Sequence, residues 1–553
     1  MFYLNHLLFP RRFLFLFAVI PLLALAQDGF CRIIEEQDNL ADAPDFIFMN
    51  APLTGGPFVE RREAHRQAVA QAGVIAKQVG VSINIGDAYL TEVDQRADGA
   101  APPLFTIHYH GKVMPTFSRR QWLSAALFWQ SSRRPNIIWI MADDMGWGDL
   151  GCYGQKHIQT PHIDRLAAQG MRFTSAYAGS AVCAPSRSCL MTGQHSGHTR
   201  VRWNHSVKTG DRVPLLPEDV TVAAVLRRAG YVTGIFGKWG LGEPGTTGVP
   251  NRQGFDDWYG YLNQDHAVDY YTDHLWRNEK KEPIPGNQNG AKGEYSTDLF
   301  TREALRFIRV NRYSPFFLYL TYTAPHADLQ VPSQGDYKDK PWSESDKNYA
   351  AMVTHMDRGI GHAMELLNRA RLAAQTLVIF TSDNGAGHKS GLPLFNGTGP
   401  FRGAKGEVYE GGLRVPMIAR WPERIAPGGV SDYPWAFWDL LPTAAELAGA
   451  KAPREIDGVS VLPVLLGKPG TPKRDYFYWE SHQKGFHQAI RDGQWKGVRH
   501  GLRAPLELYD LSADIGEKND IAGRHADVAA RLTALLNAAR TENADYPPEG
   551  KKK

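Results

Sequence analysis

Four cysteines in 553 residues, Cys31, Cys152, Cys183 and Cys189, are too few to staple a fold. None are spaced as C-x-x-C, so a zinc ribbon is excluded. Charge of one sign is missing too. With 62 Lys+Arg against 58 Asp+Glu the net charge is only +4, and no block of like charge occurs that would hold nucleic acid or an anionic membrane. Lys551 to Lys553 read as a solvated end. Apolar runs long enough to span a bilayer comfortably are absent: the longest, at 13–25, follows Arg11 and Arg12 and ends at Ala24-Leu25-Ala26, the layout of a secretory signal over residues 1–26. Nor is the chain poor in hydrophobic residues, which make up 43%, so disorder and collagen-like structure are excluded. This length holds one large α/β core or three to four smaller domains.

A second leader-like pattern, Ser118-Arg119-Arg120-Gln121-Trp122-Leu123 before the short apolar stretch 124–129, resembles a twin-arginine signal at residues 114–134. Either leader implies export, to a periplasm or outside the cell. Residues 27–113 form an extension with one helical pattern, at 59–79, and no chemical motif. From Pro135 short apolar runs alternate with helical periodicity, the pattern of a largely parallel sheet sandwiched by helices. Strands are expected at 136–142, 231–236, 316–322, 376–381 and 415–420. Helices are expected at 163–169, 220–229, 301–310, 348–374 and 435–450. After about 470 the runs at 476–480, 486–491, 495–499 and 506–509 predict a small antiparallel meander, followed by a helix at 526–540. The division is therefore a main domain at 135–470 and a C-terminal subdomain at 471–553.

Ligand groups in open α/β sheets collect beyond the carboxyl ends of strands. Asp143 and Asp144 follow the first expected strand, Lys238 the second, His326 the third, Asp383 and Asn384 the fourth. Singly, these are ordinary turn and surface residues; jointly they mark a site. Their oxygens suit a hard divalent cation, calcium or magnesium, rather than zinc. In Cys183-Ala184-Pro185-Ser186-Arg187, Pro185 fits the first turn of a helix, which sets Cys183 at its N-terminal mouth and Arg187 one turn in. Backbone N–H groups there favour an anion. Cys183 as a small buried hydrophobe is the bland alternative.

C-x-P-S-R followed by Thr192-Gly193 resembles the modification motif of the type I sulfatases, of the alkaline-phosphatase-like superfamily. The similarity runs from Pro135 to about Ala522, through P-N-I-I-W-I-M-A-D-D, G-K-W-G-L-G, A-P-H, S-D-N-G and F-R-G-A-K-G. It implies that a formylglycine-generating enzyme oxidises Cys183 to Cα-formylglycine, and that Asp143, Asp144, Asp383, Asn384 and the modified Cys183 bind calcium. It further implies that Lys238 and Lys405 contact sulfate, that Arg187 holds the formylglycine and that His326 lies near the leaving oxygen. The aldehyde hydrate would attack sulfur with one hydroxyl and expel sulfate with the other. Gly240 departs from the family's G-K-W-H, leaving the base for that last step unassigned among His195, His198, His266 and His388.

The aromatic and polar residues of 263–266 and 270–278, among them His266, Trp276 and Arg277, suit a sugar, with Trp203-Asn204-His205 a second candidate. The resemblance favours a galactose or N-acetylgalactosamine 4- or 6-sulfate over an aryl sulfate. Two other functions are open at this point: a phosphonate or phosphate ester hydrolase of the same superfamily, and a non-catalytic anion- or carbohydrate-binding relative with unmodified Cys183. A Cys152–Cys189 disulfide is a further expectation after export.

Overall fold

The computed structural model describes residues 134–204, 212–387 and 392–548, together with the backbone of strands Ala88–Asp94, Leu104–Tyr109 and Lys112–Val113. The chain divides into two units, Met1–Arg133 and Arg134–Lys553. In the first, the three strands pair in an antiparallel sheet that the sequence reading did not anticipate. Both leader segments and the expected helix at 59–79 lie outside the described residues.

Ten strands of the second unit build one mixed sheet. In chain order they are β1 (Asn136–Ala142), β2 (Met171–Phe173), β3 (Val232–Lys238), β4 (Asp257–Tyr261) and β5 (His274–Arg277). They continue as β6 (Lys280–Pro283), β7 (Phe316–Thr321), β8 (Thr376–Ser382), β9 (Met417–Arg420) and β10 (Gly429–Ser431). Their order in space is β6-β5-β4-β3-β7-β1-β8-β9-β2-β10. The five middle strands, β4 to β8 in that order, run parallel. The antiparallel pairings lie toward the two edges.

Alternation along β1 explains the layers. Ile138 and Ile140 enter one core with residues of α1 (Pro161–Ala168), while Ile137, Trp139 and Met141 enter another with Leu190 and Met191 of α2 (Cys183–Thr192) and Val222 and Leu226 of α3 (Val222–Arg228). The first core is completed by α4 (Ser296–Val310) and α5 (Glu344–Arg369), the second by α6 (Leu440–Ala448). Period-2 alternation on a strand buried on both faces thus supplies two cores from one run of apolar residues.

Beyond residue 470, β11 (Phe477–Ser481), β12 (His487–Asp492), β13 (Trp495–His500) and β14 (Leu506–Asp510) form an antiparallel meander. Leu532 and Leu536 of α7 (Ala526–Ala538) cover one face, against Tyr478, Ile490 and Leu508. Trp479 on the other face packs on Trp438 and Tyr177.

Two expectations are corrected. The helix expected from 435 starts at Leu440, because Trp435–Ala436 pairs in parallel with Ala176–Tyr177 and the Asp439 carboxylate accepts the backbone N–H groups of Ala436 and Val459, each at 2.9 Å. Cys152 and Cys189 are free thiols, since they belong to different apolar clusters. Among the described residues no helix is long and apolar enough to cross a membrane.

Candidate active site

Because β1, β3, β7 and β8 run parallel, their carboxyl ends share one rim. Asp143 and Asp144 follow β1, Lys238 ends β3, His326 lies in the loop after β7, and Asp383 and Asn384 follow β8. Lys405 comes from the loop between β8 and β9, and α2 opens at Cys183. Gly237 sets the approach: its φ is 122° and a Cβ there would lie 1.7 Å from the Thr321 carbonyl oxygen, so only glycine lets β3 reach Lys238 in this register. Asp144 is held at φ 65° by its N–H on Asp383 Oδ1 (3.1 Å) and by its carbonyl, which accepts from Gly387 N.

The cluster is dense and dry. Asp143, Cys183, Arg187, Lys238, Asp383 and Asn384 have no exposed surface. Lys238 Nζ donates to Asp143 Oδ2 at 2.5 Å and Lys405 Nζ to Asp144 Oδ2 at 2.7 Å. Arg187 places Nε and one terminal nitrogen on Asp383 Oδ2 (3.1 and 2.8 Å) and donates from the other to the Lys238 carbonyl (2.7 Å) and Thr321 Oγ1 (2.5 Å). Cys183 Sγ lies 3.5 Å from Asp143 Oδ1 and 3.9 Å from Asp144 Oδ1. His326 Nε2 is 3.5 Å from Asp144 Oδ2, and Asn384 Nδ2 donates to Asp144 Oδ1 at 2.8 Å. Nothing in the sequence pointed to Thr321, whose hydroxyl also donates to the Lys238 carbonyl; a strand threonine carries no signal of its own.

Burial sets the titration, and the cations decide its sign residue by residue. Burial alone would raise Asp143, but Lys238, His326, Arg187 and Lys405 hold it well below the ordinary carboxylate range. Asp383 is pushed up to about 6 by burial and by the charge of Asp143, which Arg187 offsets only in part. Burial pushes the Cys183 thiol up to about 12, against the pull of Lys238 and Lys405.

Two observations fit a hard cation. Asn384 Oδ1 is buried with no hydrogen-bond partner, and burial together with the charge of Asp143 raises the Asp383 carboxyl to about 6 despite its contacts with Arg187. A divalent ion would satisfy the first and relieve the second. Asp143, Asp144, Cys183 and His326 each offer a ligand atom within 4.8 Å of the others.

The remaining sequence candidates lie elsewhere. His195, His198 and Asp457 form a second cluster, in which the Gly197 N–H donates to His195 Nδ1. The His195 ring proton therefore sits on Nε2, 3.6 Å from Asp457 Oδ1, and burial keeps the ring neutral by lowering its pKa to about 3. Asp457 is held instead by the His198 ring Nδ1 (2.9 Å) and the His195 backbone N–H (2.8 Å), while His195 Nε2 has no hydrogen-bond partner. His266 Nε2 pairs with Thr272 Oγ1 at 2.6 Å and its ring stacks on His274. Trp276 lies in β5 and packs against the second core, while Arg277 pairs with Glu282 (2.7 Å) and Glu303 (3.1 Å). The structure thus brings neither Trp276 nor Arg277 into contact with the cluster. His205 and His388 lie outside the described residues. Trp203 does line a cavity of about 30 Å³ next to Ala184 and Gly240.

The C-terminal sheet reaches into this site. Ser481 Oγ donates to the Gly406 carbonyl, Glu410 N donates to Glu517 Oε2, and Arg402 donates to Tyr509 Oη and the Glu517 carbonyl. Gly406 N in turn donates to Ala181 O, two residues before Cys183. The loop that carries Lys405 is therefore pinned by residues 481 to 517.

A mixed, mainly parallel sheet with a buried acid, cation and carboxamide cluster at its carboxyl rim defines an enzyme of the alkaline-phosphatase-like superfamily. The family model described as Sulfatase matches residues 135–450, and that described as N-sulphoglucosamine sulphohydrolase, C-terminal, matches 404–542. Human N-acetylgalactosamine-6-sulfatase is 36% identical over 75% of this chain and 86% of its own length. The N-acetylgalactosamine-6-O-sulfatase of Bacteroides thetaiotaomicron is 31% identical over 74% of this chain and 94% of its own. The crystal structure of Ps i-CgsB in complex with k-i-k-neocarrahexaose superposes with a TM-score of 0.65 at 32% identity, covering 73% of this chain and 92% of that one. The chain belongs to the sulfatase family, and it is a sulfatase enzyme.

Proposed function

We propose that this sulfatase removes sulfate from a saccharide, a galactose or N-acetylgalactosamine 4- or 6-sulfate, using Cα-formylglycine made from Cys183 and a calcium ion held by Asp143, Asp144, Asp383, Asn384 and the oxygen at position 183. The observation that carries the proposal is the donor set. Asp143 and Asp144 lie against Cys183, and Asp383 and Asn384, with its unpartnered carboxamide oxygen, are hydrogen-bonded to Asp144. Calcium takes oxygen ligands, so the set is uniform only if residue 183 presents oxygen instead of sulfur. A thiol with a pKa of about 12 is also a poor nucleophile at neutral pH.

When present, the hydrated aldehyde supplies an oxygen nucleophile with a second hydroxyl, and the cation offsets charge on the sulfuryl oxygens. The chain's own residues do the rest. Lys238 and Lys405 face the sulfuryl group, where preorganised cations contribute most as charge develops. Arg187 fixes Asp383, and through the Lys238 carbonyl fixes the strand end that presents Lys238. His326, its Nε2 3.5 Å from Asp144 Oδ2 and partly open to the rim but lowered in pKa by burial, or Lys405, 2.7 Å from the same oxygen, hands a proton to the departing alcohol oxygen. The names of the two N-acetylgalactosamine sulfatases support the sugar. Residues 135–470 act as the catalytic domain and 471–553 as a subdomain completing it. A leader at 1–26 or 114–134 exports the protein to the periplasm or beyond, after a formylglycine-generating enzyme has acted.

Mass spectrometry of the peptide spanning Cys183 tests the core of this reading: conversion of thiol to aldehyde exchanges hydrogen sulfide for one oxygen and leaves a lighter peptide. Full activity from protein with an intact thiol would sink it. Parallel rates on p-nitrophenyl sulfate, phosphate and phosphonate separate sulfate from phosphoryl chemistry.

A further inference from the structure

Gly240 stands two residues after Lys238 with φ 91°, and a Cβ placed on it would lie 2.5 Å from Gln264 Nε2. The Gln264 carboxamide therefore covers the spot where any side chain at 240 would begin. Its Nε2 is shielded from solvent and has no hydrogen-bond partner. A buried amide donor left unmatched costs about 1–3 kcal/mol, so its persistence calls for an acceptor that arrives with a ligand. The neighbouring polar side chains are largely engaged: Asn263 donates to Glu243, His266 pairs with Thr272, and Arg212 pairs with Glu243 and Asp265 through its terminal nitrogens, leaving its Nε as a second unmatched donor beside Gln264.

Gln264 faces the cavity of about 30 Å³ that Ala184, Trp203, Arg212, Gly240 and Glu243 also line. Ala184 is the residue after Cys183 and Gly240 stands two after Lys238, so the space lies one step out from the buried cluster, and Cys183, Asp143, Lys238, His326 and Lys405 are not among its lining residues. It accepts one oxygen-centred group and is too small for a sugar ring. We propose that Gln264 is a specificity-determining residue that donates a hydrogen bond to an oxygen on the alcohol side of the ester, a hydroxyl or acyl oxygen beside the sulfated carbon. The proposal rests on the saccharide sulfatase reading above.

The test compares full-length wild type with Gln264→Leu and Gln264→Glu, taking kcat/KM on 4- and 6-sulfates of galactose and N-acetylgalactosamine and on p-nitrophenyl sulfate. Leucine removes the donor and glutamate replaces it with an acceptor. In both variants the saccharide-to-aryl selectivity is expected to fall about tenfold, the scale of one neutral hydrogen bond. A fall on both sugars assigns a hydroxyl as acceptor, and a fall confined to the N-acetylated sugar assigns the acyl oxygen; either supports the proposal. Selectivity within twofold of wild type, or an equal loss on sugar and aryl esters, overturns it. Wild type that cleaves the aryl ester but no saccharide sulfate overturns it while leaving sulfatase chemistry intact. Wild type that cleaves neither removes the reading on which it rests.

Discussion

Replacing Arg187 with Met keeps a long, apolar stem in its slot and deletes a guanidinium with no exposed surface. Asp383 then loses both of its guanidinium contacts and keeps only the more distant charge of Lys238, which is bonded to Asp143. Removing one partner of a buried ion pair costs about 3–5 kcal/mol, because the other charge stays buried. The Lys238 carbonyl keeps the Thr321 hydroxyl as a donor at 3.2 Å, so little is added there. Against a total of about 5–15 kcal/mol this is a large fraction. The pH dependence follows from Asp383. Its folded pKa, about 6, already lies above the unfolded value, so its contribution is most favourable below the unfolded pKa and is lost as pH rises through 6. Deleting Arg187 raises that pKa further. The deficit of Arg187→Met is therefore expected to be larger at pH 8 than at pH 5.5, where proton uptake relieves the stranded carboxylate. Urea denaturation in metal-free buffer at the two pH values measures it. A variant within about 1 kcal/mol of wild type at pH 8, or a deficit that does not shrink at pH 5.5, would refute the electrostatic account of this pair.

Cys183→Ala is expected to abolish turnover while leaving the far-UV circular dichroism and melting temperature near wild type; residual sulfatase activity would contradict a nucleophile at 183. Exhaustive chelation is expected to inhibit, with calcium restoring the rate, whereas unchanged rates after chelation would remove the metal from the proposal. In protein made without the maturing enzyme, a Cys183 pKa of about 12 leaves on the order of one thiolate in 10⁴ at pH 8. Native iodoacetamide labelling there should be slower than in the urea-unfolded chain by about 10³-fold, and equal rates would refute the burial argument.

The sequence revealed those parts of the fold that burial alone encodes. β1, β3, β7 and β8 are nearly continuous apolar runs because both of their faces are covered, and such runs stand out in a linear chain. β6, Lys280–Pro283, is mostly exposed and reads as polar; its pairing with β5 is set by the partner and not by its own composition. The three residues of β2 are too few to show any period. Within the site, Asp143, Asp144, Lys238, Asp383 and Asn384 were legible as polar residues directly at strand ends. Gln264 stood out less than its aromatic neighbours, because what singles it out is the missing side chain at Gly240, a residue 24 positions away that meets it only in the folded chain. The His195 and His198 spacing gave no hint of Asp457, which the His198 ring meets only in the folded chain.

The pinning of the Lys405 loop by Ser481, Tyr509 and Glu517 bears on biosynthesis. Those residues leave the ribosome more than 290 positions after Cys183. Until they emerge, the loop that carries Lys405 lacks these partners. Once they dock, the thiol has no exposed surface. The nascent chain thus passes through an interval in which the Lys405 loop is made but not yet pinned, and translation of the C-terminal strands ends it.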